Sequence, residues 1–181
     1  MNRLKIAVVV GSNRRESINR RLAEALVKLG DAAFDVTWAR IDDLPMYNAD
    51  LAEPATVTRL RAEIASAHGV LVVTPEHNRS IPAVLKNAID WVSKPADQNA
   101  WRGKPVVITG TSPGAIGTAV GQQHLRQILG VLGAVVMGGE AYVSFKPGLV
   151  EADGTVTDAG TRAFLQTYVD QFVALTTKLA A

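Results

Sequence analysis

Strand-sized apolar runs alternate with amphipathic helical segments along the whole 181-residue chain, and this alternation constrains the fold more than any other feature. Leu4–Val10 is almost continuously apolar after Lys5, as expected of a central parallel strand covered on both faces. Ile18, Leu22, Ala25, Leu26 and Leu29 then recur at helical spacing. Phe34, Val36 and Trp38 alternate with Asp35, Thr37 and Ala39, which reads as a half-buried edge strand. A polar stretch around Asp42–Asn48 leads to a predicted helix over Ala55–Ala67. Gly69–Thr74 is the next buried strand, and Pro82–Trp91 a short helix with proline in its first turn. Val106–Ile108 makes a fourth strand, Ala119–Leu132 a helix, and Ala134–Met137 with Ala141–Val143 an interrupted fifth strand. Phe164, Tyr168, Phe172, Leu175 and Leu179 stripe a closing helix. Five strands joined by helices, with no internal repeat or linker, predict one domain over residues 1–181 built on a doubly wound parallel sheet. Ligands of such sheets bind beyond the carboxyl ends of the strands.

Composition narrows the chemistry. The chain has no cysteine, so disulfides, thiol catalysis, iron–sulfur clusters and Cys-based zinc sites are excluded. Its three histidines, at 68, 77 and 124, lack metal-ligand spacing, and no metal is expected. Redox chemistry here would need an organic cofactor. A net charge of +2 without a dense basic stripe argues against nucleic acid. The longest apolar runs, such as Ile6–Val10, are too short to span a membrane, and the Met1–Lys5 start lacks a signal-peptide core. A cytoplasmic location is expected. Of the basic cluster Arg14, Arg15, Arg20 and Arg21, the last two are expected on a solvated helix face.

Three loops carry the candidate chemistry. The first, Gly11–Asn19, joins strand one to helix one; Gly11 allows a sharp turn, and Ser12, Ser17 and Asn19 place polar side chains beside the free amides of a helix start. Arg14 can add a charge-assisted bond to a phosphate. Two readings stay open, a phosphate clamp or a simple Ser17 helix cap with a surface arginine. The Gly-Lys-Ser/Thr ending of an NTP-binding loop is missing. The second loop, Pro75-Glu76-His77-Asn78-Arg79-Ser80-Ile81-Pro82, is stiffened by prolines and can present fixed backbone groups to a flat heteroaromatic ring. His77 also fits an ordinary surface histidine, Trp91 reads as a core or interface aromatic, and Glu76 has no nearby carboxylate with which to act as an acid–base pair. The third loop, Thr109–Gly117, only superficially suggests a dinucleotide fingerprint, since Ser112 stands where the first glycine belongs. It reads as a close-approach loop for a ring edge, with Ser112, Pro113 and Gly114 at its centre.

Taken together, Gly11-Ser12-x-Arg14-x-x-Ser17-x-Asn19, Pro75-Glu76-x-Asn78-x-Ser80-Ile81-Pro82 with Leu85–Trp91, and Thr111–Gly117 with His124–Leu129 resemble the NADPH-dependent FMN reductase family, most narrowly its bacterial chromate/quinone reductases. The resemblance covers nearly the whole chain. It implies a flavodoxin-like three-layer sandwich with a five-stranded parallel sheet in the order 2-1-3-4-5. It implies non-covalent FMN with its phosphate at Ser12, Arg14, Ser17 and Asn19, and its ring between Pro75, Glu76, His77, Asn78 and Arg79 on one side and Ser112, Pro113 and Gly114 on the other. NADPH or NADH is then the co-substrate, and a hydride passes through the flavin to a quinone, chromate or an azo compound as the small-molecule acceptor. No side chain acts as catalytic acid or base in this reading. A homodimer or homotetramer is implied, with the Trp91 helix at an interface; that helix's apolar residues (Val84, Leu85, Ala88, Ile89, Trp91, Val92) separately lead us to expect a partner surface. The family commonly has tyrosine at the position of His77, and its chromate reductases an aromatic at Arg79. The rival reading is a flavodoxin-type electron carrier without direct NAD(P)H oxidation; a phosphoacceptor regulator would need clustered carboxylates where Gly11-Ser12-Asn13 stands.

Overall fold

The computed structural model describes residues 3–180; Met1 and Asn2 of the charged N-terminal stretch lie outside them. Strand β1 (Leu4–Val10) pairs in parallel with β2 (Phe34–Ala39) on one side and β3 (Gly69–Val73) on the other. β4 (Pro105–Ser112) follows β3, and β5 (Val135–Val136) closes the order β2-β1-β3-β4-β5. This is the flavodoxin-like arrangement, with β1 and β3 flanking the point where the strand order reverses.

Side-chain alternation on the central strands builds the three layers. Ile6, Val8 and Val10 face one core with Leu22 and Leu26 of α1 (Ile18–Leu29) and Phe172 of α5 (Ala159–Ala180). Ala7 and Val9 face the other, with Leu60 and Ile64 of α2 (Ala55–Ser66), Leu85 and Ile89 of α3 (Ala83–Val92) and Leu125 of α4 (Ala119–Val131). Both sets are buried, which is why β1 and β3 read as continuous apolar runs rather than as alternating ones. Burying a side chain of the size of Phe172 contributes roughly 1.5–3 kcal/mol. β2, at the sheet's edge, is only half covered, as its alternation predicts.

Two expectations need correction. The interrupted fifth strand is two separate strands that use different lengths of β4. Val135–Val136 pairs with Pro105 and Val106, whereas β6 (Tyr142–Ser144) pairs with Gly110–Ser112. The chain swings out between them, and Arg126 holds the detour by donating to the carbonyls of Met137 and Gly139. The second correction concerns α3. Leu85, Ala88, Ile89, Trp91 and Val92 are buried within the single chain, so its apolar faces need no partner to cover them. The extra cover comes from the segment after β2. Trp91 Nε1 donates to the Pro45 carbonyl at 2.8 Å, Asn87 Nδ2 donates to the same oxygen at 2.9 Å, and Tyr47 packs edge-on against Trp91.

Candidate active site

All three loops meet at Thr74, the fully buried residue that follows β3. Gly11 N–H donates to the Val73 carbonyl at 2.9 Å, and the Thr74 N–H donates to Thr109 O at 3.0 Å. A Cβ on Gly11 would lie 2.3 Å from Thr74 Oγ1, and one on Gly110 would lie 1.9 Å from the Thr74 carbonyl oxygen. Gly11 therefore serves close approach of two chain segments; it is not among the positive-φ glycines that a left-handed turn requires. Above this junction lies an open cleft of about 360 Å³, walled by Ser12, Arg14, Ser17, Pro75, His77 and Ser112 among others.

The first loop ends in a helix start with unspent donors. Ser17 caps α1, its Oγ accepting the Arg20 N–H at 3.2 Å, and no acidic residue sits in the first turn. Among the described residues, the N–H groups of Ile18 and Asn19 have no acceptor. Positive helix-end potential and free amides together make an anion site. Arg14 is exposed and its guanidinium has no protein partner among the described residues, whereas Arg20 pairs with Glu24 at 2.9 Å over the Trp38 ring and Arg21 bonds the Val150 carbonyl. Arg14 is thus free to meet an anion, as is the exposed Arg15, whereas Arg20 and Arg21 are committed to the protein. Arg14 also borders a second depression of about 410 Å³ over the ends of β1 and β2. Asn19 behaves differently from the expectation. Its side chain is buried and bonded to the Thr111 backbone, so only its main chain is available to a phosphate.

The second loop is stiff because it bonds to itself. His77 and Ser80 exchange two backbone hydrogen bonds, each 2.9 Å, around Asn78 and Arg79, whose φ values are 51° and 64°. This is a two-residue turn with both central residues left-handed. Asparagine tolerates that region, and arginine adopts it at a cost. Glu76 supports the turn. Its Oε1 accepts from Arg79 at 3.1 Å, and its Oε2 accepts the Gly121 N–H at 2.9 Å in the first turn of α4, where Thr118 provides no side-chain cap. The Glu76 carboxylate is therefore committed to the scaffold, although the residue lines the cleft. Ser80 Oγ meets His124 Nδ1 at 3.1 Å.

The third loop holds its shape through Ser112, whose Oγ donates to Gly117 O at 2.7 Å and accepts the Gly114 N–H at 3.2 Å. Pro113 is exposed at the cleft's mouth. Of the expected site residues, Ser12, Arg14, Ser17, Asn19, Pro75, Glu76, His77, Ser112 and Pro113 border the cleft; Asn78, Arg79 and Gly114 lie outside its wall. Val84 also borders it and was missed. Its signal was present, since it stands off the Leu85–Ala88–Ile89–Val92 stripe that buries α3. A cleft with an anion site at one end and rigid, flat walls at the other fits a flavin mononucleotide, with a phosphate at the arginine end and a ring at the proline end.

The family model for NADPH-dependent FMN reductase matches residues 4–148. A 2-hydroxy-1,4-benzoquinone reductase from a Burkholderia species is 46% identical over 174 residues, covering 94% of this chain and 95% of that protein. A quinone reductase from Escherichia coli K12 is 41% identical over 169 residues, 88% of each chain. Among solved structures, FerB, a flavoenzyme NAD(P)H:(acceptor) oxidoreductase from Paracoccus denitrificans, matches with a TM-score of 0.94 at 44% identity, covering 97% of this chain and 98% of that one. With motif order, cleft and full-length relatives in agreement, the chain belongs to the NADPH-dependent FMN reductase family.

Proposed function

We propose that this protein holds FMN non-covalently in the three-loop cleft and uses NADPH or NADH to reduce quinones. The observation that carries the placement is the unpartnered Arg14 beside the free amides of Ile18 and Asn19, facing the same cleft as Pro75, His77 and Ser112. FMN held there would supply the hydride and electron-transfer chemistry. The chain's own residues do the rest. Ser12, Arg14, Ser17 and the helix amides hold the phosphate; Pro75 and His77 wall one side of the ring, and Ser112 and Pro113 the other. The cleft's open mouth lets nucleotide and acceptor visit in turn. The quinone assignment draws on the relatives' names. Chromate and azo compounds are further electron sinks open to the same reduced flavin.

Among the described residues no helix is long and apolar enough to cross a membrane. We place the protein in the cytoplasm as a homodimer or homotetramer. Support for assembly shifts from α3 to α4, where Val131 is 85% exposed beside Ile128, His124 and Ser80. Light scattering that returned a monomer at micromolar concentration would refute it. The main test is an FMN titration followed by anaerobic NADPH, then a quinone. FMN binding, bleaching and reoxidation are expected. Binding without bleaching would instead identify an electron carrier.

A further inference from the structure

We infer that Asn19 is a positioning residue that sets the distance between the phosphate end and the ring end of the cleft. Asn19 is 2% exposed, and its carboxamide makes two bonds to a single residue 92 positions away: Nδ2 donates to Thr111 O at 3.0 Å, and Oδ1 accepts the Thr111 N–H at 2.9 Å. The topology explains why Thr111 needs such a partner. Pairing of β4 with β3 ends at Val73 and Thr109, so beyond that point β4 has lost the neighbour on that edge. On its other edge β4 continues to pair with β6, where Gly110 and Ser112 stand opposite Tyr142 and Ser144. In a parallel strand, the N–H and C=O of one residue point to the same edge. Those of Thr111 meet a side chain whose amide reproduces the donor and acceptor of a missing strand.

Asn19 is the second residue of α1, beside the Ser17 cap and the free amides. Thr111 directly precedes Ser112 in the ring-side loop. The buried clamp therefore ties the two ends of the cleft together, so that a ligand touching both finds them at a fixed spacing. Its second anchor is Thr111 Oγ1, which donates to Val143 O at 2.7 Å. This role replaces the phosphate contact that the motif implies for the Asn19 side chain. It rests on the proposed placement of FMN.

Titration of the purified protein with FMN and with riboflavin tests it in three variants, with unfolding of each apoprotein measured alongside. Asn19→Ala keeps the backbone amide and removes the clamp, and should weaken both flavins by about tenfold, the scale of one net buried hydrogen bond. It should also change the visible circular dichroism of the bound ring. Asn19→Asp keeps the size and the acceptor but cannot donate to Thr111 O. Riboflavin has no phosphate to be repelled, so its weakening in this variant reads the clamp alone, should Asn19→Ala fail to fold. Arg14→Ala is the control that should separate the two flavins. A loss confined to FMN in Asn19→Ala would make Asn19 a phosphate ligand and overturn the inference. Unchanged binding of both flavins with a lowered unfolding midpoint would overturn it too, as a purely structural bond. Failure of Arg14→Ala to separate FMN from riboflavin would instead bring down the FMN placement, and the inference with it.

Discussion

At the first loop, Arg14 and the amides of Ile18 and Asn19 keep their hydrogen-bonding capacity free, whereas in the turn after β3 Glu76, Arg79 and Ser80 bond to one another or to α4. On the proposed placement, the two ends of the cleft would meet different parts of FMN. A phosphate is bound by donors that have nothing else to bond, because each charge-assisted bond is worth about 1.5–3 kcal/mol. A flat ring gains from a wall that does not move, and the wall is kept still by spending its polar groups internally. Glu76 illustrates the second strategy, with its carboxylate shared between Arg79 and the Gly121 amide.

Breaking the junction beneath both ends should have the largest effect. Gly110→Ala would push a methyl group to 1.9 Å from the Thr74 carbonyl oxygen, a backbone atom that cannot swing away. We expect a loss of about 3 kcal/mol in denaturant unfolding, with FMN and riboflavin binding falling together. A variant as stable as the parent would show that the three loops do not share this pivot.

The next change separates the ends. Arg14→Ala should cost about 1.5–3 kcal/mol of FMN affinity, and far less for riboflavin, read by fluorescence titration. Equal losses would mean that no phosphate sits at Arg14, and the proposed FMN placement would fall with it. Arg79 should matter less. Its side chain is 68% exposed and already paired with Glu76, outside the cleft wall. Arg79→Ala is expected to raise KM for NADPH about fivefold, roughly 1 kcal/mol, and for NADH by less, with the maximal rate unchanged. Steady-state kinetics at two salt concentrations would show it, and equal shifts for both nucleotides would remove the 2′-phosphate from the explanation.

The smallest effect sharpens the reading of the turn itself. Arg79→Gly and Arg79→Ala lose the same charge, so a difference between them reports the left-handed backbone at φ 64°. The glycine variant should be the more stable by about 1 kcal/mol. Identical unfolding midpoints would mean that the turn stores no strain.

Local pattern carried much of this fold. The buried runs of β1 and β3, the half-covered alternation of β2 and the stripe of α1 each lie within a window of a dozen residues, and hydrophobic periodicity over such a window reports which faces must leave water. The three site loops were legible for a related reason, since glycine, proline and short polar residues mark where a strand ends and a helix begins. The break in the fifth strand was legible, but not that its two pieces pair with different stretches of β4, because that depends on which part of β4 each short segment finds.

What the sequence determined by itself was the order of strands and helices, the absence of thiol chemistry and the three polar loops at the strand ends. What each polar side chain does in those loops was decided only by the tertiary structure. Asn19, Glu76 and Arg14 all read as ligand contacts in one dimension; folded, the first clamps Thr111, the second caps α4, and the third alone remains unpaired. The physical reason is that a hydrogen bond depends on a partner's position to within a fraction of an ångström, and partners 45 or 92 residues apart acquire that position only when the sheet brings their loops together.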